Sequence, residues 1–242
     1  MDIILRKPFS VSETETGVKN IDIIHPNHDS VNRRDRLFIT CDGKTQKSRI
    51  AGRLLCEAIN LYFHSFLDEE KDIPSVFFRK AIHMGEIAIS EYQTKHPEIR
   101  GMYTTLSLFY LALDCIYICQ VGKSHIYQIR NNKIIHKFID SSDQIIKGVD
   151  SSIKVNLITL NDIKANDQFF ICHDNLTSVE DEVIICNILS EYGHAEEKLS
   201  QIKKYYLNKY QSPFTGHLIP IREIREAQTF KQRVNALVYS FI

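Results

Sequence analysis

The sequence predicts an α+β fold of layered antiparallel sheets covered by helices, and three observations predict it. Helices come in pairs, one pair before and one pair after a long β-rich stretch, instead of alternating one for one with strands as a doubly wound parallel fold demands. The β-rich stretch contains Asn131-Asn132, a two-residue hairpin signal that only antiparallel neighbours can use. The composition, 43% hydrophobic and 25% charged over 242 residues, supplies one substantial core and excludes a disordered, collagen-like or coiled-coil chain. The chain is therefore read as a single domain over 1–242, with a short excursion at about 140–165.

Taken in order, residues 1–34 read as polar and irregular apart from an apolar patch at Ile21–Ile24. Arg36–Cys41 reads as a buried strand stopped by Asp42-Gly43. From Ser48, Ile50, Leu54, Leu55, Ala58, Leu61 and Tyr62 recur at helical spacing and form a stripe that must pack against something. Pro74 suits the first turn of a second helix, which carries Phe77, Phe78, Ala81, Ile82 and Ile89 and ends near Tyr92. Met102–Leu113, Asp114–Val121, His125–Arg130 and Lys133–Ile139 are rich in Ile, Tyr, Phe and Thr and read as an antiparallel meander. After the weakly patterned 140–165, Asp167–Cys172 is another buried strand running into His173-Asp174. Helices at about 179–190 and 195–210 follow, and Val234–Ile242 closes the chain as a strand.

Thirty Lys+Arg balance thirty Asp+Glu, so the counterion-release argument for a nucleic-acid partner fails. Lys198, Lys203, Lys204 and Lys209 read as the solvated face of a helix over a core stripe. The opening Met1–Pro8 is too short in apolar content to be a signal-peptide core or a membrane span, which leads to the expectation of a cytoplasmic protein with no membrane partner. The six cysteines include no Cys-x-x-Cys pair, and nearly all sit in apolar runs, so they are expected as buried thiols; Cys115 and Cys119 share one face of a strand for packing.

Carboxylates recur at strand ends: Asp29 after Asn27-His28, Asp42 after Thr40-Cys41, and Asp174 after Cys172-His173. Carboxylates held by rigid backbone at one place make an oxygen-rich site for Mg²⁺ or Mn²⁺, although each taken singly is also an ordinary turn residue. His25, His28 and His173 are alternative ligands for Mn, Fe or Zn, against the plainer reading of polar residues at strand ends.

Six pieces in order resemble the metal-dependent protein phosphatases of type 2C. They are Asn27-His28-Asp29, Leu37–Gly43, Gly101–Leu106, Val121-Gly122-Lys123-Ser124-His125, Cys172–Thr177 and Arg233-Val234-Asn235-Ala236. The resemblance implies an αββα sandwich, two antiparallel sheets flanked by helix pairs, with two metal ions at one edge activating a water that attacks a phosphoserine or phosphothreonine. It implies metal roles for Asp42, for the Gly43 carbonyl and for Asp174, with Asp29 supporting metal-bound water. The other ligand positions depart from the pattern: His28 replaces Glu, Lys123 replaces Asp, and Val234, which has no donor atom, replaces Asp. Thr45 and Gln46 replace glycines, and Ile24 replaces the phosphate-binding Arg.

With His28 neutral, the three ligand exchanges add four units of positive charge, which equals the charge of two divalent ions. Lys123 is accordingly expected to compensate Asp42 and Asp174 in place of metal, the alternative being a lysine that reaches solvent from a vestigial pocket. Truncating it would cost about 3–5 kcal/mol in a fully buried pair and much less where water reaches it. The functional expectation is a pseudophosphatase acting as a binding or regulatory module on a protein partner or phosphoprotein, with no cofactor. The alternative is an active phosphoserine/phosphothreonine phosphatase using Mn or Mg at Asp42, Gly43 and Asp174, with Asp29 and His28 as weaker ligands.

Overall fold

Runs of β-branched and aromatic residues become strands wherever a second layer buries them, and here they build two sheets. The computed structural model describes residues 2–13, 22–27, 30–42, 45–66, 74–140, 142–149, 153–172 and 178–225. In chain order the elements are β1 (Asp2–Leu5), β2 (Phe9–Glu13), β3 (Ile23–His25), β4 (Leu37–Cys41), α1 (Gln46–Phe66), α2 (Pro74–Lys95), β5 (Leu106–Leu111) and β6 (Ile116–Val121). They continue with β7 (Ser124–Arg130), β8 (Lys133–Asp140), β9 (Asn156–Leu160), β10 (Gln168–Cys172), α3 (Val179–Ser190), α4 (Ala195–Tyr210) and β11 (Phe214–Arg225). One sheet has the order β1-β11-β10-β7-β8 with β2 also on β11, and the other β3-β4-β5-β6-β9; the pairings are antiparallel.

Strand alternation sorts the core into three layers. Ile39, Cys41, Leu106, Leu108 and Cys119 face α1 and α2. Phe38, Phe109, Ile118, Ile126, Ile171 and Ile219 meet between the sheets. Tyr127, Phe170, Leu218 and Phe214 face α3 and α4. This is the αββα sandwich, and the two helix pairs lie where the periodicity placed them. All six cysteines are free and five are buried. Among the described residues no helix is long and apolar enough to cross a membrane.

Four features differ from the sequence reading. The expected meander is two hairpins in different sheets: β5 and β6 stay with β4, while β7 and β8 join β10. Gly122, at φ +84, turns the chain from one sheet to the other. A Cβ there would lie 2.6 Å from the Gln144 carbonyl oxygen and 2.7 Å from Thr105 Cγ2, so only glycine fits. The polar N-terminal stretch holds β1, β2 and β3, and the excursion at 140–165 holds β9 on the edge beside β6. The long strand β11 had no counterpart in the reading. It pairs with β2 through Phe214–Leu218 and with β1 from Ile221 onward, and Pro220, which has no N–H, falls between the two pairings. The expected strand Val234–Ile242 lies outside the described residues. The hairpin signal is met: Asn131 and Asn132 have φ 50 and 62, as a type I′ turn requires.

The α3–α4 pair is pinned by one buried carboxylate. Ser178 and Asp181 form a capping box at the start of α3, and Asp181, fully buried, also accepts from Tyr205 Oη (2.7 Å), Tyr210 Oη (2.7 Å) and Lys209 Nζ (2.9 Å). Burial alone raises such a carboxyl, but the bonds from Lys209, Ser178, Tyr205 and Tyr210 prevail and hold Asp181 well below the usual carboxylate range. A depressed folded-state pKa contributes stability that is complete above the unfolded value, about 3.9, and is lost as pH falls below it. Thermal unfolding measured from pH 5 to pH 2 should therefore show Asp181→Asn less stable than wild type at pH 5, with the difference shrinking toward pH 2. A constant difference would mean that Asp181 is not ionised in the folded protein.

Candidate functional site

The site is built by strand ends that the topology brings to one edge of the sandwich. β4 delivers Asp42, whose carbonyl accepts from Thr104 Oγ1 (2.9 Å) and from the Thr105 amide (3.4 Å) at the start of β5. The next strand end is the β6–β7 turn with Gly122 and Lys123, in contact with the same Thr105. Asp140 fixes that turn, accepting from the Gly122 amide (3.0 Å) and the Ser142 amide (2.8 Å). β10 ends here too, since Cys172 lies opposite His125 in β7 and opposite Gly216 in β11.

Asp22 is a carboxylate at this edge that the sequence reading did not single out. It precedes Ile23, which pairs with Cys41. Burial pushes the Cys41 thiol well up, and the nearby Cys56, Asp22 and Asp42 push it further in the same direction. The only signal available was register: an acid just ahead of a strand that runs antiparallel to β4 falls beside Asp42.

Of the expected site residues, Asp42 and Lys123 are described, while His28, Asp29, Gly43, Asp174, His173 and Val234 lie outside the described residues. Thr45 serves α1 as its cap, its Oγ1 accepting from the Ser48 amide at 3.1 Å. His25 sits opposite Ile39, further from the edge than Ile23. Burial lowers its pKa, with Asp35 opposing and His64 adding to the shift, so its charged neighbours belong to a different place. Among the described residues no three His, Cys, Asp or Glu side chains converge as a metal group.

Lys123 carries its charge outward. Its side chain is 65% exposed and its Nζ lies 3.2 Å from Oδ1 of Asp143, itself 91% exposed. Of the two outcomes expected for Lys123→Ala, this exposure selects the smaller: a loss of about 0–1 kcal/mol, weakened further by salt. A loss several times larger in urea titrations would mean that the ammonium is held among buried carboxylates after all.

No protein-family model matches the sequence, and no curated protein is similar to it in sequence. Solved structures are similar in fold. The serine/threonine phosphatase Stp1 from Staphylococcus aureus superimposes with a TM-score of 0.75 at 18% identity, over 92% of this chain and 98% of that one. The Mycobacterium tuberculosis serine/threonine phosphatase PstP gives 0.73 at 16% identity, over 91% and 100%. The PstP catalytic domain in complex with two manganese ions gives 0.72 at 17% identity, again over 91% and 100%. The fold of this chain is that of the type 2C, or PPM-type, serine/threonine phosphatases.

Proposed function

We propose that this chain is a pseudophosphatase, a type 2C phosphatase-like domain that works by binding a protein partner or phosphoprotein in a regulatory role, in the cytoplasm. The observation that carries the reading is Lys123, an outward-facing ammonium at the edge where the related phosphatases place an aspartate ligand. A two-metal centre draws its chemistry from carboxylates that hold two dications against the phosphate and the attacking water. The donor set here does not fit one: Lys123 brings positive charge and Val234 has no donor atom. Asp42 and Asp174 alone of the ligand carboxylates persist, and Asp22 reaches the edge from β3 in a position the resemblance does not supply. What this edge keeps is the scaffold of a phosphate-facing surface, with its strand ends locked by Thr104, Thr105 and Asp140.

Millimolar Mn²⁺ should move the melting temperature little, because a ligand stabilises only as RT ln(1 + [L]/Kd). A large shift that Asp42→Ala abolishes would favour the second reading. That reading is an active phosphatase whose metal would be held by Asp42, the Gly43 carbonyl and Asp174, helped by Asp29 and His28; the two persisting aspartates support it.

A further inference from the structure

The inner faces of the two sheets are apolar over most of their length and become polar just behind Asp42. Phe38 and Phe109 belong to the inter-sheet core. Two residues nearer the edge, the same faces of β4 and β5 carry Thr40 and Ser107, which are 0% and 1% exposed and directly paired across the two strands. On one side of this pair, His217 of β11 joins the sheets: its Nδ1 is 2.7 Å from Ser10 Oγ and its Nε2 is 3.2 Å from the Ile39 carbonyl. On the other side Gln120 of β6, opposite Ser107, joins them again, its amide donating to Ser124 Oγ at 2.8 Å and to the Phe138 carbonyl at 3.3 Å. Between these two bridges the hydroxyls of Thr40 and Ser107 have no hydrogen-bond partner among the described residues.

Fully buried hydroxyls are costly unless bonded, and a strand's inner face accepts Val and Ala as readily by shape. Directly opposed residues in an antiparallel pair hold their Cβ atoms about 4.5–5.5 Å apart. That is a span that one water, with oxygen–oxygen distances of about 2.8 Å to each hydroxyl, can bridge. We propose that a buried water bridges Thr40 Oγ1 and Ser107 Oγ between the two sheets, immediately behind Asp42. It ties β4 to β5 within one sheet and completes a polar layer under the strand ends of the candidate site, flanked by the two links between the sheets, His217–Ile39 and Gln120–Ser124. The water serves that edge whether or not the site is catalytic.

Thermal unfolding separates the bridged pair from an unbonded one by sign. If the water is present, Thr40→Val removes one of its anchors and lowers the melting temperature by about 2–4 °C, Ser107→Ala does likewise, and the double variant loses little more than either single one, since the water leaves once. Thr40→Ser, which keeps the hydroxyl, should lose less than Thr40→Val. If the hydroxyls are unbonded, Thr40→Val leaves the melting temperature unchanged or raises it, and the proposal fails. A crystal structure that resolves ordered solvent gives the deciding readout: density between the two hydroxyls in the wild type, kept in Thr40→Ser and absent in Thr40→Val. A wild-type structure without that density overturns the proposal whatever the melting temperatures show.

Discussion

Arg130→Ala is expected to destabilise the folded protein by about 3–5 kcal/mol, the cost of leaving a buried carboxylate without its cation. Asp167 is 0% exposed, and Arg130, 14% exposed, holds it through two parallel bonds, Nε to Oδ1 at 2.7 Å and Nη2 to Oδ2 at 2.8 Å. Gln128 Nε2 (2.8 Å) and the Lys164 amide (2.9 Å) complete the shell around Oδ2. The same guanidinium reaches Asp162 Oδ2 at 2.8 Å, so one side chain ties β7 to the segment that leads into β10. Asp162 is held below the usual carboxylate range chiefly by that bond. Arg130→Lys cannot reproduce the fork and should recover only part of the loss. Urea titrations should show a lower midpoint with unchanged slope for Arg130→Ala, and an unchanged midpoint would mean that the Arg130–Asp167 fork contributes nothing to stability.

Restoring the three departed ligands together, His28→Glu, Lys123→Asp and Val234→Asp, is expected to create Mn²⁺ binding that no single reversal creates, because the ligands of one ion act as a unit. At a hundredfold excess of Mn²⁺ over Kd the gain is about 2.7 kcal/mol. For a chain of this size that raises the melting temperature by roughly 5–10 °C. The geometry favours the exchange at Lys123, a largely exposed turn residue. Single reversals that each bind Mn²⁺ as tightly as the triple variant would show that loss of ligands is not what separates this chain from the manganese-bound phosphatase it resembles in fold.

The helices were legible because their signal is local. Apolar residues at helical spacing and Pro74 at a first turn place α1 and α2 within a few residues, and two asparagines suffice to announce a left-handed hairpin. The partition of strands between sheets was not legible, since β6 and β7 look alike along the chain and only the close approach of Gly122 to Thr105 separates them. β2 and β11 were missed for a related reason. Ser10 and His217 interrupt their apolar patterns, yet both are fully buried because each satisfies the other, at a separation of 207 residues. At the site, the ordered motif pieces gave the scaffold. The outward course of Lys123 depends on the path of the β6–β7 turn and on Asp143 beyond β8, and Asp22 depends on register, so neither could be read from residue type.

The most direct test of the central claim is phosphopeptide hydrolysis in Mn²⁺, with the bound metal of the same purified samples quantified, comparing the wild type with the triple reversal. The wild type should show no metal-dependent turnover and no stoichiometric Mn²⁺, with both gained only when His28→Glu, Lys123→Asp and Val234→Asp are combined in one chain. Wild-type turnover comparable to that of the triple reversal, lost in Asp42→Ala, would contradict it and make this chain an active phosphatase.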